Sequence, residues 1–233
     1  MLNYLVEIRK RLIFIAIFFV VAFIVVFGFS DNVFAWLIHP LQKYLSSDSS
    51  LIITQITTPI YTPIMIAFDG AVILSIPFII FQIWKFIYPA LSTKEAFNLR
   101  LAISVSLSLF LVGVLFCYFV FLPYIFKFII SMVPNYLKLF PDLAYAIDFI
   151  TRMLLVFGVC FQLPIIVVLL IKFNMIDLQS IRSIRPYFIV FAFIIGMFLT
   201  PPDVFSQVML AIPLIILFEI TIWVCCRFFK LDN

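Results

Sequence analysis

Residues 81–100 read FQIWKFIYPALSTKEAFNLR and join two strongly apolar segments. Proline cannot donate a backbone hydrogen bond and disfavours helix in the residue before it, so Pro89 predicts that a helix ends near Tyr88. Ser92 and Glu95 then have the Ser-x-x-Glu spacing of a capping box, which predicts the start of the next helix. We interpret residues 81–100 as a turn between two helices, with Glu95 either a cap or an exposed acidic group at a membrane surface.

The composition of the whole chain places it in a lipid bilayer. Of the 233 residues, 66% are hydrophobic and 11% are charged, and the mean hydropathy is +1.29. Soluble domains of this size carry about 25% charged residues. We therefore predict an all-α integral membrane protein.

The apolar segments set the predicted number of membrane spans. A bilayer core about 30 Å thick needs about 20 helical residues. One domain covering residues 1–233 is predicted to hold six spans, at approximately 12–29, 66–88, 95–126, 149–172, 186–199 and 204–226. Residues 186–199 give only about 21 Å of helix, so we expect the last two helices to be short.

The distribution of basic residues predicts the orientation of these spans. Six spans put both termini on one side, and 11 of the 15 Lys and Arg residues fall in the termini and loops of that side. The other side holds Lys43, Lys127, Lys138 and Arg152. The positive-inside rule therefore predicts that both termini are cytoplasmic. The net charge of +4 reflects this topology, and no nucleic-acid partner is predicted.

The first predicted external loop carries a cap, a proline and a β-branched stretch. Asp31 is predicted to cap a short amphipathic helix that Pro40 kinks or stops. Residues 51–58 are rich in β-branched side chains and are predicted to run extended. Asp69 follows near the start of the second span.

Polar side chains within apolar segments are costly in lipid and are candidate functional groups. For Gln162 two interpretations remain open, a hydrogen bond that packs helices together and a functional role. Asp203 is expected to cap the last helix and to share a polar patch with Gln207. Glu219 is expected near the cytoplasmic end, where solvent or Arg185 satisfies it.

The sequence argues against an enzyme. It has a single histidine, His39, and just 5 Gly, with no Gly-x-Ser-x-Gly, P-loop or dinucleotide signature. The four cysteines lie in apolar segments without Cys-x-x-Cys spacing, which is typical of small apolar core residues. We predict no catalytic residue, no metal and no cofactor.

With an enzyme excluded by the sequence, we predict a binding surface on the cytoplasmic side. Glu7 and Glu95 are predicted beside the mouth of an apolar bundle, with Phe86 close to the second. Because Arg pairs bidentately with carboxylate, two such acids suit a ligand with adjacent guanidinium groups followed by an apolar segment. A twin-arginine signal peptide has this composition.

Ordered motifs along nearly the whole chain support a resemblance. They are YLVEIRKRL at 4–12, HPL at 39–41, the QxWxFxxPxLxxxE block within 81–95, FG and FQLP at 157–164, R, R, P and Y within 182–187, LTPPDVFSQ at 199–207, and AIP and FE within 211–219. Together these motifs resemble the TatC family, the multispanning receptor component of the twin-arginine protein translocase. Tyr4 stands where the family commonly has His, Gln162 where several relatives have Glu, and Asp69 has no assigned counterpart.

The resemblance implies a concave six-helix bundle and a set of functional residues. It implies that Glu7 and Glu95 bind the twin-arginine motif, with Arg9 and Phe86 in the same recognition region. The other implied residues are Pro40 and Asp203 on the external side, and Met197, Thr200 and Gln207 where the single-span partners TatA and TatB dock.

The resemblance also predicts the role and location of the protein. It implies proton-motive-force-driven export of folded precursors, assembly into a homo-oligomeric receptor complex, and a bacterial inner membrane or an organellar one. The main alternative is a secondary transporter or ion-conducting protein with Gln162 and Glu219 lining a conduit, although the two halves show no evident repeat. A third alternative is a structural membrane subunit that binds no peptide.

Overall fold

The computed structural model describes residues 2–45, 50–87, 99–134, 139–172, 176–199 and 204–229. Within these ranges the regular structure is helical, and Ile52 and Asp142 make an isolated parallel β-bridge. Helices close their backbone hydrogen bonds within one segment, which is what a lipid environment requires. The prediction of an all-α protein is confirmed.

Ten α-helices and one π-helical turn follow one another along the described ranges. They are α1 (Leu2–Gly28), α2 (Ser30–Gln42), α3 (Thr58–Ile87), α4 (Leu99–Phe116), the π-helical turn (Cys117–Phe121), α5 (Leu122–Ser131), α6 (Leu143–Cys160), α7 (Leu163–Lys172), α8 (Leu178–Ser183), α9 (Arg185–Leu199) and α10 (Val204–Phe229).

Five helical stretches of the described chain are long and apolar enough to cross a bilayer. They are Leu5–Gly28, Thr58–Phe86, Leu101–Ser131, Leu143–Ile171 and Val204–Arg227. The segment Arg185–Phe198 is apolar but shorter, as predicted. A helix of this length reaches about 21 Å, less than the thickness of a bilayer core. The prediction that the last helix is also short is wrong, because α10 runs from Val204 to Phe229 and contains a long apolar span.

The structure bears on two local predictions at α2. The residue at the N-cap is Phe29, without a side-chain cap, so the prediction that Asp31 caps this helix is wrong. Asp31 lies in the first turn instead, where its negative charge interacts favourably with the positive N-terminal end of the helix dipole. The helix passes through buried Pro40 and ends at Gln42, so Pro40 does not stop it, and the alternative of a kink stays a prediction. The described part of α3 reaches Ile87, and the predicted helix end at Pro89 and capping box of Ser92 and Glu95 lie outside the described residues.

The helices pack through aromatic side chains and through close backbone approaches at glycine. Phe18 of α1 stacks on Phe78 of α3, with ring centroids 4.6 Å apart. Between α4 and α6, a Cβ on Gly113 would lie 2.7 Å from the carbonyl oxygen of Phe157. The absence of a side chain at Gly113 therefore sets the spacing of α4 and α6.

The segment before α3 is fastened to the start of α6 through Asp142. The Asp142 carboxylate accepts from Ala144 N at 2.9 Å and Tyr145 N at 3.2 Å, which makes it the N-cap of α6. It also accepts from Thr54, through the hydroxyl at 2.6 Å and the amide at 3.1 Å. The hydroxyl of Thr54 and these backbone amides lower the pKa of Asp142 because they stabilise its ionised form. The extended backbone predicted for residues 51–58 is confirmed at Ile52 by its bridge to Asp142. It is wrong for residues 55–58, which form a bend, a turn and the start of α3.

Gly113 tests the close approach of α4 and α6. Gly113→Ala is expected to lower the free energy of unfolding by about 1 to 3 kcal/mol, because its methyl group meets backbone atoms that have no room to move. Gly28→Ala is the matched control, since a Cβ there has nothing within 4 Å. Denaturant unfolding in mixed micelles measures both, and equal stability of the two variants contradicts the assigned packing.

Asp142 predicts a pH-dependent contribution to stability. Its pKa is lowered in the folded protein, so the stabilisation is present above the unfolded pKa of about 3.9 and is lost as pH falls through the folded pKa. Asp142→Ala should therefore lower the melting temperature at neutral pH, by an amount typical of a lost cap of about 1 kcal/mol, and the deficit should shrink in acid. Asp31→Ala, which removes an acid that makes no cap bond, is the control. A deficit that stays constant with pH refutes the role of the ionised carboxylate.

Candidate functional site

The start of α1 meets the end of α3 in a polar contact centred on Arg11. Its Nε donates to Oε1 of Glu7 at 3.1 Å, and its Nη2 donates to the same oxygen. Its Nη1 donates to the side-chain oxygen of Gln82 at 3.1 Å and to the carbonyl of Gln82 at 3.3 Å. Its Nη2 also donates to the carbonyl of Lys85 at 3.2 Å. The Arg11 guanidinium thus joins the Glu7 carboxylate to α3.

An aromatic ring completes this contact. The guanidinium carbon of Arg11 lies 5.8 Å from the ring centroid of half-buried Phe86, within the range of a cation–π interaction. Lys85 lies in the last turn of α3, where carbonyl groups lack a partner inside the helix. Arg11 therefore satisfies a helix end as well as a carboxylate.

The Glu7 carboxylate stays accessible despite this contact. The Glu7 side chain is 42% exposed, whereas that of Arg11 is 15% exposed. Arg11 uses Oε1, and Oε2 has no hydrogen-bond or ion-pair partner in the part of the chain that the structure describes. Glu7 therefore keeps one oxygen for a second cation. Glu95, its predicted partner acid, lies outside the described residues.

Arg9 lies on another face of α1. Two residues along an α-helix turn the side chain by about 200°, so Arg9 and Glu7 point apart. Exposed Arg9 borders an open apolar surface of α1, formed by Leu5, Ile8, Leu12, Ile13 and Ala16. Leu12 and Ala16 also line a shallow groove of about 430 Å³ between α1 and α3 that reaches Ser75. The structure brings Glu7 and Phe86 together through Arg11 and places Arg9 beside the apolar surface of α1.

Gln162 lies in the break between α6 and α7 and is 8% exposed. Its Nε2 donates to the carbonyl oxygen of Ser106 in α4 at 2.8 Å. The hydroxyl of Ser106 in turn accepts from Nε1 of Trp84 in α3 at 2.8 Å. The predicted helix-packing hydrogen bond of Gln162 is therefore confirmed.

The predicted residues of α9 and α10 divide between buried contacts and an exposed surface. Nε2 of Gln207 donates to the carbonyl of Phe193 at 2.8 Å, joining α10 to α9. Met197 of α9 is 66% exposed. Glu219 pairs with Arg185 at 3.0 Å, which confirms the predicted partner. Thr200 and Asp203 lie outside the described residues.

A polar cluster between α3 and α6 was not predicted. The hydroxyl of Thr151 donates to Oδ2 of Asp69 at 2.7 Å, and Arg152 pairs with Asp148 at 2.8 Å one turn away. Asp69 lies within α3 and not merely near its start. The sequence shows three charged residues inside apolar segments, which marks them as candidates. It does not show that they lie close together, because that depends on how α3 and α6 face each other.

Pro40, predicted to be a functional residue, lies in a different part of the bundle, buried in α2.

The titratable side chains do not assemble a metal site in the described ranges. No group of three or more His, Cys, Asp or Glu side chains there is close enough to hold a metal ion. The polar groups instead occur as pairs and small clusters that mostly join one helix to another.

This architecture is that of a multi-pass α-helical membrane protein. The profile of the family described as "Sec-independent protein translocase protein (TatC)" matches residues 3–213. The chain belongs to the TatC family, whose members are components of a protein translocase.

Relatives and solved structures agree with the family match. The Sec-independent protein translocase protein TatC of Haemophilus influenzae is 37% identical over 230 residues, covering 99% of this chain and 90% of the relative. That of Escherichia coli K12 is 39% identical over 224 residues, covering 96% and 86%. A crystal structure described as the twin arginine translocase receptor TatC superposes with a TM-score of 0.87 at 34% identity, covering 95% of this chain and 97% of that one.

Gln162 provides a test of the hydrogen bond between α4 and the α6–α7 break. Gln162→Leu is expected to lower the free energy of unfolding by about 0.6 to 1.7 kcal/mol, the range for hydrogen bonds between membrane helices. Gln162→Glu should be destabilised at neutral pH and recover in acid, because a carboxyl group donates only when protonated. Denaturant titration in mixed micelles measures this, with exposed Gln42→Leu as control. Wild-type stability of Gln162→Leu contradicts a role for this bond.

Proposed function

We propose that this protein is the receptor of a twin-arginine translocation system. It binds the twin-arginine signal peptides of folded precursor proteins and works with the single-span subunits TatA and TatB in export driven by the proton-motive force. Membership of the TatC family supports the general role. The observation that carries the specific role is the exposed Glu7 carboxylate, which lies next to Arg11 and Phe86 where α1 meets α3.

The proposed topology has six spans with both termini in the cytoplasm. Five long apolar helices and the shorter Arg185–Phe198 supply the spans. The excess of Lys and Arg in the termini and in the loops on their side supports the orientation. Glu7 and the end of α3 then face the compartment from which precursors arrive. The membrane is a bacterial inner membrane or an organellar one.

In the proposed complex, the paired guanidinium groups of the signal peptide meet Glu7 and Glu95. A carboxylate binds guanidinium through charge-assisted, often bidentate hydrogen bonds, which a lysine ammonium cannot reproduce. Phe86 offers an aromatic face beside the acid, as cation–π contacts require. The apolar part of the peptide follows the apolar surface of α1 that Arg9 borders, which continues through Leu12 and Ala16 to the shallow groove between α1 and α3.

The partner subunits are proposed to dock on the surface of α9 and the start of α10. Met197 is exposed there, and Gln207 lies where α9 and α10 are joined. Thr200 is proposed to belong to the same surface. Pro40 and Asp203 are proposed to act on the external side, and several copies of the chain are proposed to assemble in one receptor complex.

Removing both acids tests the proposed signal-peptide site. The double variant Glu7→Ala with Glu95→Ala is expected to abolish crosslinking to a twin-arginine peptide, because no carboxylate remains to pair with the guanidinium groups. The measurement is photocrosslinking of a labelled peptide to the full chain in membranes. A twin-lysine peptide should crosslink poorly to the wild-type chain.

Glu219→Ala is the matched control for this experiment, because Glu219 is a half-exposed carboxylate that pairs with Arg185 elsewhere in the bundle. Its crosslinking should equal that of the wild type. Undiminished crosslinking in a folded Glu7 and Glu95 double variant would refute the assigned role of these acids.

A further inference from the structure

We propose that Arg11 is a positioning residue for signal-peptide binding. It holds the Glu7 carboxylate by one oxygen, fixes it to the end of α3, and leaves the other oxygen for a guanidinium group of the ligand. This inference rests on the proposed function of Glu7 and gives Arg11 a role in that same site.

The contacts of Arg11 differ from those of an ordinary surface ion pair. A Glu–Arg pair one helical turn apart contributes only about 0.2 to 0.5 kcal/mol and leaves both side chains mobile. Here the Arg11 side chain is 15% exposed, and its guanidinium also donates to three oxygens of α3, two from Gln82 and one from Lys85. Glu7 is therefore held relative to α3 as well as within α1.

The end of α3 also balances the charge that Arg11 brings to Glu7. A cation bonded to a carboxylate weakens the attraction of that carboxylate for a second cation. Arg11 shares its charge with carbonyl oxygens at the C-terminal end of α3, which is the negative end of the helix dipole. The Glu7 carboxylate therefore retains attraction for an incoming guanidinium group.

Geometry makes arginine necessary at this position. The Arg11 guanidinium reaches Glu7 from one edge and Gln82 from the other, using donors in a fixed planar fork. A lysine ammonium is a single compact charge and does not span these acceptors at once. Arg11→Lys therefore keeps the charge but loses the link between Glu7 and α3.

The test measures binding of a fluorescent twin-arginine signal peptide to the full chain in nanodiscs. The variants are Glu7→Gln, Arg11→Gln, Arg11→Lys and the double variant Glu7→Gln with Arg11→Gln. Glu7→Gln and Arg11→Gln should each weaken binding by about tenfold, the equivalent of about 1.4 kcal/mol. The double variant should bind no more weakly than Glu7→Gln alone, because Arg11 acts through Glu7. Arg11→Lys should resemble Arg11→Gln.

Three results overturn the inference while leaving the proposed role of Glu7 intact. Tighter binding by Arg11→Gln shows that Arg11 competes with the ligand for Glu7. Losses that multiply in the double variant show that Arg11 acts independently of Glu7. Wild-type binding by Arg11→Lys shows that charge alone suffices. If Glu7→Gln itself binds as the wild type does, the proposed function of Glu7 fails instead.

A folding control separates binding from stability in these variants. Each is compared by melting temperature, with Glu219→Gln as a control for removal of a carboxylate elsewhere. Should Arg11→Gln fail to fold, Gln82→Leu replaces it, because this change removes one acceptor of Arg11 and leaves the Glu7 contact in place. Its binding should fall, and wild-type binding by Gln82→Leu overturns the inference.

Discussion

Lipid offers no hydrogen-bond partners, so the backbone N–H and C=O groups of a membrane-spanning chain must bond within the protein. The structure depends on this constraint wherever a helix is interrupted. Between α6 and α7 the amide of Phe161 donates to the carbonyl of Phe157 at 3.0 Å, and the amide of Gln162 donates to that of Val159 at 2.9 Å. The Gln162 side chain then ties this break to α4. The interruption therefore leaves its own amides bonded and gains a contact between helices.

The same constraint explains how polar side chains are used in the described part of the chain. Gln162, Gln207 and Asp69 each form a hydrogen bond that joins two helices. Glu7 differs, because its bond to Arg11 occupies one oxygen while the side chain remains 42% exposed. A carboxylate held in place but still accessible is suited to binding. This contrast favours Glu7 over the buried polar residues as a point of contact with a ligand.

Sequence reasoning succeeds here for features set by nearby residues and fails for those set by facing helices. Apolar runs predict the long helices, and Glu219 pairs with Arg185 as expected. The α3 partners of Arg11 lie 71 and 74 residues away, and Thr151 lies 82 residues from Asp69. Periodicity predicts which face of a helix is polar but not which helix that face meets.

The two faces of α1 impose an order on any ligand that uses both. Glu7 is joined to α3 through Arg11, while Arg9 lies about 200° around the helix, at the edge of the open apolar surface of α1. A short pair of arginines cannot contact both residues without crossing α1. A signal peptide carries its guanidinium groups before its apolar segment. In the proposed complex the guanidinium groups therefore meet Glu7 and Glu95, and the apolar segment follows the apolar surface of α1, with Arg9 bordering its path.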